Sequence, residues 1–264
     1  MVYDCFLFLN EFDVLDFRLK LHGPIVDKFI ILESDITFAG NSRKLLFQNS
    51  YEYDIDYYVY DDRKNFYHPM EREKSQREYL KQCVINSGIT KNDYCIISDV
   101  DEIYETESLN DLLHKHDTKP IRGYLYHNEF YSNVFRTHHR NTHLNPWFGP
   151  YLNKFSFDIS FQQTRDVHEF GFEYEHRFKQ YDIVHDFCGY HLSNLFGDDW
   201  KLFVYKLTNF GHALDKRNSF VRQWSSKNDY QNYIENRIKN NILKVNNEDM
   251  NEHWLKYDKY IYHT

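Results

Sequence analysis

A short apolar run that leads directly into three carboxylates constrains this chain more than any other stretch. The residues YCII at 94–97 are rich in β-branched side chains and predict a buried strand. Asp99, Asp101 and Glu102 follow almost at once. Because side chains along an extended segment alternate between faces, Asp99 and Asp101 are expected to point the same way, with Val100 opposite. The segment therefore predicts two carboxylates side by side at the carboxyl end of a strand.

Two aspartates held this close repel each other unless a positive group lies between them. A hard divalent cation such as Mg²⁺ or Mn²⁺ binds carboxylate oxygens and shares its remaining positions with phosphate oxygens. In an open α/β sheet, ligands bind beyond the carboxyl ends of the strands, where this pair is expected to lie. The competing interpretation is an acidic loop solvated by water, because short Asp-x-Asp matches recur by chance.

Composition limits the classes of protein to which the chain can belong. At 264 residues it can bury a full core, as one large domain or as one domain with an appendage. Aromatic residues make up 19% of the chain, which is too many for a disordered protein. The formal net charge of −8 argues against a nucleic-acid-binding protein, because such a protein needs a basic face to neutralise phosphates.

The cysteines and the hydropathy pattern indicate a protein that is neither disulfide-bonded nor embedded in a membrane. The four cysteines are widely spaced and form no C-x-x-C pair, so neither a disulfide framework nor a zinc–thiolate site is expected. No basic-then-apolar leader begins the sequence, and no apolar run reaches the length that spans a bilayer. These features predict a soluble, cytoplasmic protein.

Predicted strands and helices alternate along the first hundred residues. Apolar runs at 2–9, 26–32 and 56–60 predict strands, and helical spacing follows the first of them and recurs over 69–87. Asn10 is expected to cap the first helix, with Asp13 reaching back as in a capping box. Strand, short helix and strand are the opening of a doubly wound α/β domain.

The second half of the chain is less regular. Residues 121–130 and 155–161 predict strands, the latter through strict alternation of apolar residues. Residues 217–244 predict helices. His139 and His143 have the spacing of zinc ligands on a helix. Asn145-Pro146 follows closely, however, and favours an exposed loop.

Two carboxylates near predicted strand ends and one arginine on a predicted helix are candidates for nucleotide contacts. Glu11 and Glu33 fall just past strand ends, where a base or ribose could meet them, although single carboxylates there are more often helix-start or surface residues. The charged residues of the 69–87 helix, Arg72 among them, mostly predict a solvated, ion-paired face. An arginine on that helix can still grip a diphosphate bidentately, and Arg77 is the better candidate.

The later candidates are a histidine, two aspartates and a tryptophan. His191 lies two residues after Gly189, at a predicted strand end. It is either a metal ligand or a core histidine that is hydrogen-bonded to the backbone. Asp198 and Asp199 precede a helix, where Asp198 fits an N-cap equally well. Trp147 belongs to a rigid aromatic turn and can stack on a sugar ring or pack in the core.

Several motifs, taken in order, are typical of one enzyme family. They are YDCFLFLNEFDVL at 3–15, VDKF at 26–29, ES at 33–34, SDVDEI at 98–103 and GYHLS at 189–193. In this ordered combination the chain resembles glycosyltransferase family 17 over about residues 2–210.

The resemblance implies a fold, a domain division and a reaction. The fold is an α/β, GT-A-type glycosyltransferase fold, a Rossmann-like mixed sheet flanked by helices. A catalytic domain would span 1–215, with a donor-binding half over about 1–105 and an acceptor-side half over about 106–215. Residues 216–264 would form a helical extension packed on the same domain. The implied reaction is inverting transfer of GlcNAc from UDP-GlcNAc, a nucleotide-sugar donor, to a glycan or glycoprotein acceptor.

The resemblance also implies roles for individual residues. Asp99 and Asp101, with His191, are expected to hold Mn²⁺ or Mg²⁺ against the donor diphosphate, where the ion neutralises charge on departing UDP. The residues expected to contact the donor are Asn10, Glu11, Glu33, Arg77, Asp99, Val100 and Asp101. An acceptor-side carboxylate would take the proton of the attacking hydroxyl. The candidates for this base are Asp198, Asp199 and Glu169, with Asp186 as a rival.

Two other classes of protein would also place acidic residues at a strand end. A metal-dependent nucleotidyltransferase or nucleotide-sugar hydrolase is one, but it would normally carry a glycine-rich phosphate loop near the first strand, and Leu9-Asn10-Glu11 is not such a loop. A sugar-binding module without catalysis is the other. The presence of Asp99, Asp101 and His191 together argues against a decayed site.

Overall fold

The computed structural model describes residues 1–61, 66–115, 119–137, 144–165, 180–211, 213–214, 216–248 and 250–263. In this part of the chain, no helix combines the length and the apolar character needed to cross a bilayer.

Four parallel strands form the first half of the sheet. They run in the order β3 (Ile55–Tyr60), β2 (Lys28–Ser34), β1 (Val2–Phe8) and β4 (Tyr94–Asp99). Such strands are covered on both faces and therefore consist of nearly continuous apolar runs, which is why the sequence revealed them. Within β1, Phe6 faces one core cluster and Cys5 the other, as the alternation of a strand requires.

The second half of the sheet is mostly antiparallel. Its members are β9 (Tyr151–Lys154), β6 (Ile121–Glu129), β7 (Val134–Arg136), β11 (Leu243–Val245), β8 (Trp147–Phe148), β5 (Glu102–Tyr104) and β10 (Asp182–Ser193). Strand β9 joins the two halves, because it pairs antiparallel with both β4 and β6. Strand β10 runs parallel to β6 and antiparallel to β5, so the segment after Asp99 is tied to the second half.

Helices cover both faces of the sheet. They are α1 (Phe12–His22), α2 (Pro69–Asn86), α3 (Thr106–Lys115), α4 (Trp200–Asn209) and α5 (Lys227–Lys239). Leu15 and Leu19 of α1 pack in the cluster with Phe6, whereas Leu80 and Val84 of α2 pack with Cys5 on the other side. The predicted α/β fold with a mixed sheet flanked by helices is confirmed.

Two local predictions were wrong. Residues 155–161 form turns and coil, not a strand. Phe155 and Phe161 are buried, whereas Phe157 is exposed, so the alternate aromatic residues do not share one face. The turns bury some of these side chains and expose others. The cap of α1 is Glu11, which makes no side-chain cap bond to the helix. Its carboxylate accepts hydrogen bonds from the backbone N–H groups of Leu9 and Asn10 instead.

The C-terminal extension is not wholly helical. Besides α5 and three 3₁₀ segments (Lys216–Gln223, Glu252–Lys256 and Asp258–Tyr260) it supplies β11, which pairs with β7. Trp254 is buried against Phe17 of α1, with ring centroids 4.9 Å apart. Asp13, the expected partner of a capping box, accepts hydrogen bonds from Lys259 and Tyr260. The extension therefore packs against α1.

A buried ion pair connects α1 to β1 and β4. The guanidinium of Arg18 donates to both carboxylate oxygens of Asp4, at 2.8 and 2.5 Å, and both side chains are fully buried. His22 contacts the same carboxylate at 2.8 Å. Burial alone would raise the pKa of Asp4, but the charges of Arg18 and His22 lower it to about 2.

Removing Arg18 is expected to destabilise the whole protein. In Arg18→Met the carboxylate of Asp4 would stay buried without its counter-ion, which typically costs roughly 3–5 kcal/mol. The free energy of unfolding, measured by urea denaturation, should fall by that amount. Arg222→Met removes an exposed arginine and should change it by less than about 0.5 kcal/mol. Equal effects of the two substitutions would contradict the assigned role of Arg18.

The pH dependence of stability follows from the low pKa of Asp4. Its folded-state pKa of about 2 lies below the ordinary 3.8, so the contribution is complete above pH ~4 and is lost as pH falls toward ~2. Urea denaturation between pH 5 and pH 2 should show a steeper loss in the native protein than in Asp4→Asn. Parallel curves for the two proteins would show that this carboxylate is not held in its charged form.

Candidate active site

The carboxyl ends of β1 and β4 border one cavity of about 130 Å³. Its polar lining includes Glu11, Arg77, Asp99, Asp101 and Lys206. A larger neighbouring cavity, of about 590 Å³, shares Glu11 with it. The smaller one is called the donor cavity below, after the donor contacts that the sequence analysis predicted for Glu11, Arg77, Asp99 and Asp101. It lies at the edge of a parallel sheet where an α/β protein binds its ligands, as the sequence predicted.

The side chain of Arg18 fixes the turn that joins β4 to β5. This turn carries Asp99, Asp101 and Glu102 and is called the acidic turn below. The guanidinium of Arg18 donates to the backbone carbonyls of Asp99, Val100 and Glu102, at 2.9, 3.3 and 2.8 Å, and to the hydroxyl of Ser98. These bonds satisfy carbonyls that leave the sheet ladder where β4 ends. The turn between β4 and β5 is therefore fixed by a buried charge, and the carboxylates it carries are held at the cavity.

Asp99 lies between two arginines. Its oxygens are 2.8 Å from Arg77 of α2 and 2.7 Å from Arg165. Burial works to raise the pKa of Asp99, but the charges of Arg165 and Arg77 lower it. Arg165 also contacts both oxygens of Glu102, whose Oε1 accepts a bond from the indole of Trp147. Two carboxylates of the acidic turn are thus charged and paired.

Asp101 has a different set of neighbours. Its Oδ2 is 3.4 Å from the ammonium of Lys206, and its Oδ1 is 3.9 Å from Nε2 of His191. Lys206 also lies 3.7 Å from Glu11. Burial raises the pKa of Asp101 against the opposing charges of Lys206 and His191. The two aspartates therefore line one cavity but face different cations, and Lys206 occupies the space between Asp101 and Glu11.

His191 combines burial with an unsatisfied nitrogen. Its ring stacks on Trp147, with centroids 4.2 Å apart, and its Nδ1 is buried with no hydrogen-bond partner among the described residues. Burial lowers the pKa of His191, so the imidazole is neutral near pH 7 and keeps a lone pair.

The side chains around Asp101 supply only part of the ligands that a divalent cation needs. In the part of the chain that the structure describes, no group of three or more His, Cys, Asp or Glu side chains is placed to hold a metal ion. Asp101 and His191 nevertheless offer an oxygen and a neutral nitrogen 3.9 Å apart, a separation that one ion with ligands at roughly 2.1 Å can bridge. The residues fit part of a coordination shell, to which phosphate oxygens would add.

Other predicted donor contacts lie at varying distances from the donor cavity. Val100 lines it, although the side chain is buried. Asn10 lines the larger neighbouring cavity. Glu33 is buried, and its carboxylate accepts bonds from Arg43, the hydroxyl of Tyr57 and the backbone N–H groups at 46 and 47. These bonds anchor the segment after β2, and Glu33 does not line the cavity.

The predicted bases are separated from the donor cavity. Asp199 caps α4 by accepting the N–H groups of residues 201 and 202, a role that the sequence had offered to Asp198. Asp198 accepts a bond from Tyr131 and pairs with Lys227. Both aspartates line the larger cavity. Glu169, like His139 and His143, lies outside the described residues.

Among the cations of the site, sequence reasoning named only Arg77 as a candidate contact for the diphosphate. Arg77 was expected on a largely solvated helix face, together with Arg72, yet only 4% of Arg77 is exposed and Arg72 is also buried. No local sequence pattern pointed to Arg165 or Lys206. A sequence signal did exist: a cluster of carboxylates at a buried strand end requires counter-charges, although nothing local shows which ones.

The structural role of Glu33 can be separated from nucleotide binding. Glu33→Gln weakens four buried hydrogen bonds and should lower the free energy of unfolding by roughly 1–3 kcal/mol. Glu52→Gln, at an exposed glutamate, should leave it unchanged. UDP affinity, measured by calorimetry, should be nearly the same in both variants. A large loss of UDP affinity in Glu33→Gln with unchanged stability would restore the predicted nucleotide contact.

Comparison with models of protein families identifies a match. No curated protein matches the chain as a relative. A family model described as glycosyltransferase family 17 matches residues 1–145, which is more than half of the 264 residues. The matched segment contains β1, β2, β4 and the acidic turn, so it covers Asp99 and Asp101 but not Lys206 or His191. The chain belongs to glycosyltransferase family 17.

Proposed function

We propose that this glycosyltransferase transfers GlcNAc from UDP-GlcNAc to a glycan hydroxyl, with inversion at the anomeric carbon and with Mn²⁺ or Mg²⁺. The observation that carries the proposal is the meeting of Asp99, Asp101, Arg77 and Lys206 at one cavity beyond the parallel strands. Its acidic turn lies within the segment that matches the family.

The cations of the cavity suit a diphosphate. Arg77 presents a planar guanidinium that can bind two phosphate oxygens, and Lys206 adds a point charge next to Asp101. Carboxylates hold both cations in place. Arg77 pairs with Glu73 and Asp99. Lys206 lies between Asp101 and Glu11. A side chain whose position is fixed before the substrate arrives loses less entropy on binding.

Asp101 and His191 are proposed to hold the divalent ion, with Asp99 next to them. Bound there, the ion would act as a Lewis acid that stabilises negative charge on the leaving diphosphate. The support for this assignment is the neutral imidazole whose Nε2 lies 3.9 Å from the buried carboxylate of Asp101. Asp99 would keep Arg77 and Arg165 in place.

The acceptor hydroxyl must lose a proton as it attacks. A carboxylate on the acceptor side of the cavity would accept it. Asp198 and Asp199 line the larger cavity, which neither Asp101 nor His191 lines. A carboxylate nearer to His191 therefore suits the role better.

Turnover and binding assays would test the proposal. The protein is incubated with a panel of UDP-sugars, with Mn²⁺ or EDTA, and with or without a glycan library, and UDP release is measured. Release from UDP-GlcNAc that needs both acceptor and metal is expected. Release without acceptor would instead indicate a hydrolase, and UDP binding without release a non-catalytic module.

Asp101→Asn is expected to reduce kcat by roughly 10²-fold, because it removes charge from the proposed metal site. Asp158→Asn, at an exposed aspartate, is the matched control and should retain native activity. Mn²⁺ binding, followed by the paramagnetic relaxation of water protons in the presence of UDP, should weaken in parallel. Native activity and Mn²⁺ affinity in Asp101→Asn would rule out the proposed metal site.

A further inference from the structure

A third cavity borders His191. It has a volume of about 250 Å³, and its lining includes His127, Glu129, Trp147, His191, Tyr233 and Arg237. Asp101 lines the donor cavity, and His191, whose Nε2 is 3.9 Å from Asp101, lines this one. Lys206 and Leu207, adjacent on α4, likewise line one cavity each. Single side chains therefore separate this third cavity from the donor cavity.

Glu129 is the carboxylate that lines this third cavity. It ends β6, only 5% of it is exposed, and its oxygens lie 3.2 Å from Arg136 and 2.7 Å from Arg237. His127 lies 3.7 Å away, beyond ordinary hydrogen-bond distance. Because a carboxylate offers about four acceptor positions, the two arginines leave room for a further donor. A hydroxyl in the cavity can supply it.

The backbone at the rim of the cavity adopts unusual conformations. Phe130 and Asn194 follow the ends of the paired strands β6 and β10, and both have positive φ, 71° and 55°. For a phenylalanine this conformation is uncommon and costs energy. Such local strain is concentrated at functional sites, where it fixes the direction of neighbouring side chains. Here it turns the chain away directly after Glu129 and Ser193.

Resting on the proposed function, we infer that this cavity binds one sugar unit of the acceptor and that Glu129 is the catalytic base. The aromatic rings of Trp147 and Tyr233 offer apolar faces, and the charged groups offer fixed hydrogen-bond partners, a combination typical of small-molecule sites. The volume is below the roughly 300–1,000 Å³ of sites for drug-sized ligands, so it suits a single ring.

The chemical step balances with these groups. The acceptor oxygen forms a bond to the anomeric carbon of the donor, and its proton passes to the carboxylate of Glu129. The bond between the anomeric carbon and the diphosphate oxygen breaks, and its electron pair leaves with UDP. Glu129 then returns the proton to water. Arg136 and Arg237 hold the carboxylate in position and do not take part in the proton transfer.

The test compares Glu129→Gln with Glu235→Gln, a matched change at an exposed glutamate of α5. Glu129→Gln should lower kcat for transfer by 10²–10⁴-fold, the usual contribution of a general base, while the affinity for UDP stays native. Glu235→Gln should keep native transfer. Transfer by Glu129→Gln within threefold of native would overturn the inference.

Two further variants keep the test decisive if Glu129→Gln does not fold. Glu129→Asp preserves the charge that Arg136 and Arg237 require but withdraws the carboxylate, so kcat should fall at least tenfold with native UDP affinity. Ser193→Phe fills the cavity and should raise the acceptor KM at least tenfold without changing the donor KM. Native kinetics in both variants would overturn the inference. Failure of the native protein to bind UDP-sugars would instead overturn the proposed function itself.

Discussion

The buried guanidinium of Arg18 is the constraint on which the rest of the site depends. It neutralises Asp4 in the centre of β1 and at the same time donates to three carbonyls of the acidic turn. A charge this deep is tolerated only with good geometry and full hydrogen bonding, so each partner restricts the others. The helix, the first strand and the turn that carries Asp99 and Asp101 can therefore assemble in only one relative position.

The same rule of charge balance organises the donor cavity. Asp99 and Glu102 are matched by Arg77 and Arg165, while Asp101 shares Lys206 with Glu11. Each carboxylate thereby holds a cation beside the cavity for which a diphosphate is proposed. Each cation would keep its carboxylate and offer its remaining N–H groups to such a substrate, so that no buried charge would lose its partner.

The sequence revealed what depends on local order and missed what depends on distant pairing. The parallel strands and the closeness of Asp99 to Asp101 follow from apolar runs and from neighbouring positions in the chain. The contacts of Asp99 with Arg165 and of Asp101 with Lys206 join residues 66 and 105 positions apart, so no local pattern encodes them. Periodicity placed Arg77 on a solvated face because it reports one helix alone and cannot show that α2 reaches over the end of the sheet.

The division of the sheet explains why donor and acceptor sites would lie where they do. Parallel strands end together and leave a crevice at one edge, which suits an extended nucleotide. The second half of the sheet is interrupted by turns and by positive φ values at Phe130 and Asn194, which suits a small, sharply shaped cavity. His191 stands at the junction, on a strand that is paired both with β5 behind the acidic turn and with β6 beside Glu129. A sugar passing from one half to the other would have to pass this ring, so the position of His191 would govern both metal binding and access of the acceptor.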